Sequence, residues 1–130
     1  MILNGHRALI TGAAQGIGRA CAEELAARGA DLVLVDRNAD ALAEVTAALS
    51  EKGSGVRSLA LDLTDLDLVR SQVGQLSEEL LVDILVNNAG FDRPGSVAKI
   101  DTHDLEAVFS IHMTVPFLLI KLLLPAMRAA

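Results

Sequence analysis

The stretch "TGAAQGIG" at positions 11–18 places glycines at 12, 16 and 18 directly after the apolar run "HRALI". Glycine loses more backbone freedom on folding than any other residue, so such a density needs a reason. Phosphate is one: a bare backbone lets N–H groups approach an anion closely, and a helix starting there adds the positive end of its dipole. Asp36 lies some eighteen positions beyond Gly18, at the end of a second apolar run, "DLVLVD". A carboxylate at that distance can accept hydrogen bonds from an adenosine ribose and repels a 2′-phosphate. Bare loop, following helix and carboxylate together point to a dinucleotide. The glycine spacing alone leaves a purely structural turn open, with Asp36 as a solvated strand end or a cap.

That chemistry needs a strand before the glycines and a helix after them. "RALIT" (7–11) reads as a buried strand. Residues 16–28 read as a helix with Ile17, Cys21 and Leu25 on one stripe, ended by Gly29. "DLVLVD" (31–36) is a second strand, continuously apolar as strands covered on both faces are. Residues 39–52 form a second helix with Leu42, Val45 and Leu49 inward, closed by "GSG". "VRSLALDL" (56–63) is a third strand, and Asp62 or Thr64 starts a helix carrying Leu66, Val69, Val73, Leu76 and Leu80. "VDILVNNAG" (82–90) is a fourth strand running into a turn, and "FDRPGSVAKI" (91–100) is a loop. Asp101 or Thr102 then caps a last helix that runs almost to residue 130, with a kink expected at Pro116. The alternation predicts an α/β fold, an open and mostly parallel sheet with helices on both faces.

Length and composition set bounds on the rest. The 130 residues suit one domain, and the 52% hydrophobic content comes almost wholly from aliphatic residues, with no Trp or Tyr and three Phe. A net charge of −6 argues against nucleic acid and anionic membrane as partners. The lone Cys21 forms no internal disulfide and fits a reducing, cytoplasmic setting; on its apolar stripe it reads as an inert core thiol. "MILNGHRALITG" lacks the charged start of a signal peptide. "VPFLLIKLLLPAM" (115–127), interrupted by Lys121 and two prolines, reads as too short for a membrane span and so as a buried or interfacial helix. His6, His103 and His112 are too dispersed for a metal site. Asp65 and Asp67 read as helix-start carboxylates. Arg19 and Arg37 flank the proposed groove.

The motifs resemble those of the short-chain dehydrogenase/reductase family. Thr11, Gly12, Gly16 and Gly18 match its TGxxxGxG motif, and "NNAG" (87–90) matches its second signature. "LDLTD" (61–65) resembles its adenine-contacting segment, "DR" (36–37) its NAD-preferring strand end, and "FSIHMTVPFLLIKLLLPAM" (109–127) its following long helix. The resemblance implies a Rossmann-like sheet of about four strands in the order 3-2-1-4. It also implies residue roles. Gly12, Gly16, Ile17 and Gly18 would cradle a pyrophosphate, and Asp36 would bind the adenosine ribose. Asp62, with the backbone of Leu63, would hold the adenine. Asn88, Ala89 and Gly90 would line the ribose and nicotinamide side. Gln15 is neutral where NADP-using relatives often carry a base, so with Asp36 and Arg37 the implied cofactor is NAD.

Two departures qualify that reading. Where the family's long helix carries a relay Asn, this chain has His112, which can serve a proton relay or pack inside at helical spacing from Leu105, Val108 and Phe109. The family's catalytic Tyr and Lys, four apart, and its upstream Ser lie beyond a fifth strand. This chain has no Tyr, no Ser after Ser110, and Lys121 on another element. The expectation is a single dinucleotide-binding domain over 1–130, truncated before the fifth strand. It would hold NAD(H) without the family's hydride transfer between alcohol and carbonyl. The last helix is apolar nearly all round and the fourth strand lies at an edge, so self-association through both is expected. A non-enzymatic oligomerising module is the other reading, and a longer enzyme cut after Ala130 is a third.

Overall fold

Aliphatic runs of three to six residues recur between amphipathic helices, and they assemble into one parallel sheet. A computed structural model of the chain describes residues 2–130. The strands are β1 (Arg7–Thr11), β2 (Asp31–Asp36), β3 (Val56–Ala60) and β4 (Ile84–Val86), in the order β3-β2-β1-β4. Leu9 lies opposite Val33, Ile10 opposite Val86, and Leu32 opposite Val56. The helices are α1 (Gly16–Ala27), α2 (Ala39–Glu51), α3 (Leu66–Glu79), α4 (Thr102–Phe109) and α5 (Val115–Ala129). This is the Rossmann-like α/β sheet, with the 3-2-1-4 order, that the sequence led us to expect.

Side chains alternate across a strand, and that alternation divides the core in two. Ala8 and Ile10 of β1, with Leu32 and Leu34 of β2, pack against Ala22 of α1 and Leu42, Val45 and Leu49 of α2. On the other face, Leu9, Val33 and Val35 meet Val69, Val73 and Leu76 of α3 and Val115, Leu119 and Leu123 of α5. Both faces of β1 and β2 are therefore covered, which is why neither strand carries a polar alternation.

The structure corrects several local expectations. The stripe Ile17, Cys21, Leu25 is not the buried face of α1. Gly18 and Ala22 are, while Ile17 is 75% exposed and Cys21 half-buried. The helix lies so close to the loop and sheet that only small residues fit beneath it. β3 stops at Ala60, because Asp62 turns back to accept from the Thr64 N–H at 2.9 Å and its hydroxyl at 2.7 Å. Helix α3 accordingly starts after Asp65, whose carboxylate caps the Leu68 N–H at 3.1 Å. Within the expected strand-and-turn segment 82–90, β4 itself spans only Ile84–Val86, because the Asn88 and Ala89 N–H groups bond a side chain and not a strand.

The last helix also differs. It begins after Asp101, whose carboxylate caps the His103 N–H at 2.8 Å. Pro116 does not break it. A single π turn at Ser110–Thr114 precedes the proline, with the Val115 N–H bonded to the Ser110 carbonyl five residues back. The widened turn shifts the bonding register just where proline lacks a donor. Thr102–Ala129 is thus one helix of 28 residues, long and apolar enough to cross a membrane by length and composition alone. The helix is longer than the apolar segment 115–127 read from the sequence. One face, at Val115, Leu118, Leu119 and Leu123, is buried in the core shared with α3.

The amino ends of the strands are tied by charge. Asp83 lies 2.6 Å from His6 Nδ1 and accepts the Arg7 N–H at 2.7 Å, while the Arg7 guanidinium reaches Asp31 at 3.1 Å. Partial burial raises the Asp83 carboxyl, and the Arg7 N–H and His6 together overcome it, leaving the group below the usual carboxylate range. The folded value lies below the unfolded one, about 3.9. The stabilisation is therefore complete above that value and is lost as pH falls through the folded value. Asp83→Ala should cost about 1–3 kcal/mol at neutral pH. Denaturant unfolding across acid pH checks this, the gap to wild type closing as pH falls below the folded value.

Candidate functional site

In a parallel sheet all carboxyl ends open on one edge. β1 leads into α1 on one face, whereas β4 leads towards α4 and α5 on the other, leaving a crevice between them. The crevice encloses about 330 Å³. Every residue selected from the sequence as cofactor-binding, Gly18 apart, lines it: Gly12, Gln15, Gly16, Ile17, Asp36, Arg37, Asp62, Leu63, Asn88, Ala89 and Gly90.

The loop that shapes the crevice is held by Thr11. Its buried hydroxyl accepts the Asn88 N–H at 3.0 Å and the Ala89 N–H at 2.9 Å. Asn88 returns the contact, its amide nitrogen donating to the carbonyls of Thr11 at 3.1 Å and Gly12 at 3.3 Å. The end of β1 is thereby stitched to the segment leaving β4. Gly18 serves this stitch and not the crevice: a Cβ there would stand 2.1 Å from the Gly12 carbonyl oxygen and 2.6 Å from the Asn88 amide. Sequence reading missed Thr11 as a structural hinge, although its place in the motif was visible.

Gly16, by contrast, faces the crevice with a left-handed φ of 57° and nothing within 4 Å of where a Cβ would sit. It keeps the first turn of α1 open. Gln15 supplies no side-chain cap, and that turn has no acidic residue. Helices α2, α3 and α4 each have both, through Asn38, Asp65 and Asp101 and the acids Asp40, Asp67 and Asp104. The α1 N–H groups and dipole are left for an anion in the crevice. An uncapped, glycine-lined cradle of this kind fits a pyrophosphate.

One end of the crevice is anionic. Asp36 accepts the Ala14 N–H at 3.1 Å and the Asn38 N–H at 2.9 Å, which fixes its carboxylate at the rim. The Thr64 hydroxyl and N–H, with a smaller contribution from the Arg37 charge, hold Asp62 below the usual carboxylate range against partial burial. Arg37 lines the crevice, whereas Arg19 pairs with Glu23 at 3.0 Å and does not. The other end is apolar, formed by Ala89, Gly90, Phe91 and Ile111. Leu61, Thr64, Phe91 and Ile111 were not selected from the sequence. Leu61 and Thr64 adjoin a chosen motif, but no local pattern marks Phe91 or Ile111.

His112 is not a packed interior histidine. It is exposed on the π turn, with Nε2 3.1 Å from the Phe91 carbonyl oxygen. Lys121 is exposed on α5 and does not line the crevice. Among the described residues no group of three or more His, Cys, Asp or Glu is placed to hold a metal.

A family model described as short chain dehydrogenase matches residues 6–130. The chain belongs to that family. Among curated short-chain dehydrogenase relatives, the 2,3-dihydro-2,3-dihydroxybenzoate dehydrogenase of Bacillus subtilis is 37% identical over 113 residues, covering 86% of this chain and 43% of the relative. The 15-hydroxyprostaglandin dehydrogenase [NAD(+)] of Macaca fascicularis is 41% identical over 113 residues, 85% of this chain and 42% of the relative. The crystal structure of L-sorbose reductase from Gluconobacter frateurii, complexed with NADPH and L-sorbose, superposes with a TM-score of 0.93 at 34% identity. It covers 99% of this chain and 50% of that one. The chain thus spans about half the length of the relatives it matches.

Thr11→Val removes the acceptor from two N–H groups at the heart of this site, at about 1–3 kcal/mol for each that stays unsatisfied. Thr11→Ser, which keeps the hydroxyl, should stay close to wild type. Chemical denaturation of the two variants side by side checks this.

Proposed function

We propose that these residues are the dinucleotide-binding part of an NAD-dependent oxidoreductase that interconverts alcohols and carbonyls. The observation that carries the reading is the uncapped, glycine-lined start of α1 facing a crevice with a fixed carboxylate on its rim. When bound, the nicotinamide would accept or donate the hydride. The chain's own residues bind and orient it. The first turn of α1, with Gly12, Gly16 and Ile17, takes the pyrophosphate. Asp36 takes the adenosine ribose, with Gln15 and Arg37 beside it, and Asp62 with Leu63 takes the adenine. Asn88, Ala89 and Gly90 take the other half. No tyrosine is present to serve as general acid or base, so these 130 residues bind without turning over.

Asp36 favours NAD over NADP, because its anion would face the 2′-phosphate. One curated relative carries NAD(+) in its name, while the sorbose reductase structure holds NADPH. NADH should bind about tenfold or more tighter than NADPH, since a like-charge contact costs several kcal/mol before screening. Asp36→Ser should narrow the gap. Fluorescence titration reads both, and no binding of either cofactor at millimolar concentration would overturn the reading.

We also propose that the chain self-associates. Phe109, Met113, Phe117, Ile120 and Leu124 form an exposed apolar stripe along the last helix, continuing from Leu105. Among the described residues β4 pairs with β1 alone and leaves an open, three-residue edge. Sedimentation should find a dimer or larger species at micromolar concentration, and Phe117→Glu should shift it towards monomer. A wild-type monomer would count against the proposal.

A further inference from the structure

The crevice's apolar end is built on Phe91, a residue at the start of an otherwise exposed loop. Phe91 is partly buried against the core shared with α3 and α5, and it also lines the crevice. Two contacts fix it from different directions. The Arg93 guanidinium carbon sits 4.4 Å from the ring centroid. That guanidinium is itself tethered, Nε lying 3.7 Å from Asp104 of α4 and Nη1 donating to the Asp92 carbonyl at 3.0 Å. From the π turn, His112 Nε2 donates to the Phe91 carbonyl at 3.1 Å. The imidazole reaches it across Gly90, where a Cβ would meet Cε1 at 2.5 Å. Beyond Arg93, the loop's internal backbone bonds are those of Lys99 and Ile100 to the Ser96 carbonyl, and residues 92–99 are exposed.

We propose that Phe91 is the positioning residue for the nicotinamide half of the dinucleotide, held in place by a strap of Arg93, Asp104 and His112. This rests on the dinucleotide reading above. With the anionic rim taking the adenosine, the flat apolar end is left for the second base. A ring ordered in advance offers it a face without the loss of rotamer freedom that binding otherwise exacts. Arg93 and His112 do not need to touch the ligand; they act through Phe91.

The test compares NADH with ADP-ribose, which keeps the adenosine and pyrophosphate but lacks the nicotinamide. Arg93→Ala should weaken NADH about two- to five-fold, the value of an exposed cation–π contact. Phe91→Ala should weaken it about tenfold, in keeping with an aromatic contact. Neither should change ADP-ribose affinity, and Arg93→Lys, which keeps a cation over the ring, should recover most of the loss. A general loss of fold would weaken both ligands alike. Arg93 is surface-placed, so its variant carries the test if Phe91→Ala is poorly folded. Unchanged NADH binding in Arg93→Ala, or equal loss for both ligands, overturns the strap. If wild type binds neither ligand, the dinucleotide reading falls and the strap with it. If wild type binds both and Arg93→Ala is silent, only the strap falls.

Discussion

The architecture of the site depends on one buried hydroxyl. Thr11 sits where β1 ends, and its oxygen accepts two successive backbone N–H groups from the segment leaving β4. Asn88 answers with two bonds to the carbonyls of the glycine loop. Four bonds over so short a distance turn two independent loops into a single rigid rim. With the loop drawn down on Asn88, the start of α1 must pass within touching distance of Gly12, and only a hydrogen side chain at Gly18 permits that. The bare helix end at the crevice follows from this packing, because the same turn that presses Gly18 inward leaves Gly16 facing out.

Along the crevice the environment changes from charged to apolar. At one end Asp36 is pinned by backbone N–H groups, and Thr64 holds Asp62 in its ionised form. At the other, Phe91 and Ile111 present carbon. A ligand with a polar, hydroxylated end and a flat ring at the other would find a matching surface at each. The uncapped helix end lies between them, where a central anion belongs.

The long last helix serves two demands that compete. It must bury Val115, Leu118, Leu119 and Leu123 in the core beside α3, and it must deliver Ile111 to the crevice and His112 to the Phe91 carbonyl. The π turn reconciles them by changing the register between the two segments and accommodating Pro116. The opposite face is left covered with Phe109, Met113 and Phe117, apolar surface that a water-exposed helix does not ordinarily carry.

Sequence alone determined the strands and helices, the parallel sheet, and most of the crevice. Those features are written in local pattern: continuous aliphatic runs, 3.6-residue stripes, and glycines at a strand-to-helix turn followed by a carboxylate. The strand order came from the resemblance of four motifs, since periodicity says nothing about which strand lies beside which. What only the tertiary structure decided rests on proximity between distant segments. The Thr11–Asn88 stitch shortened β4 to three residues. The close seat of α1 buried Gly18 and Ala22 and turned Ile17 outward. The return of the last helix to the crevice placed His112 on Gly90 and Phe91. In each case a hydrogen bond or steric contact joins distant segments, Asn88 to Thr11 and to Gly18, and His112 to Gly90 and Phe91, and no window of neighbouring sequence contains both.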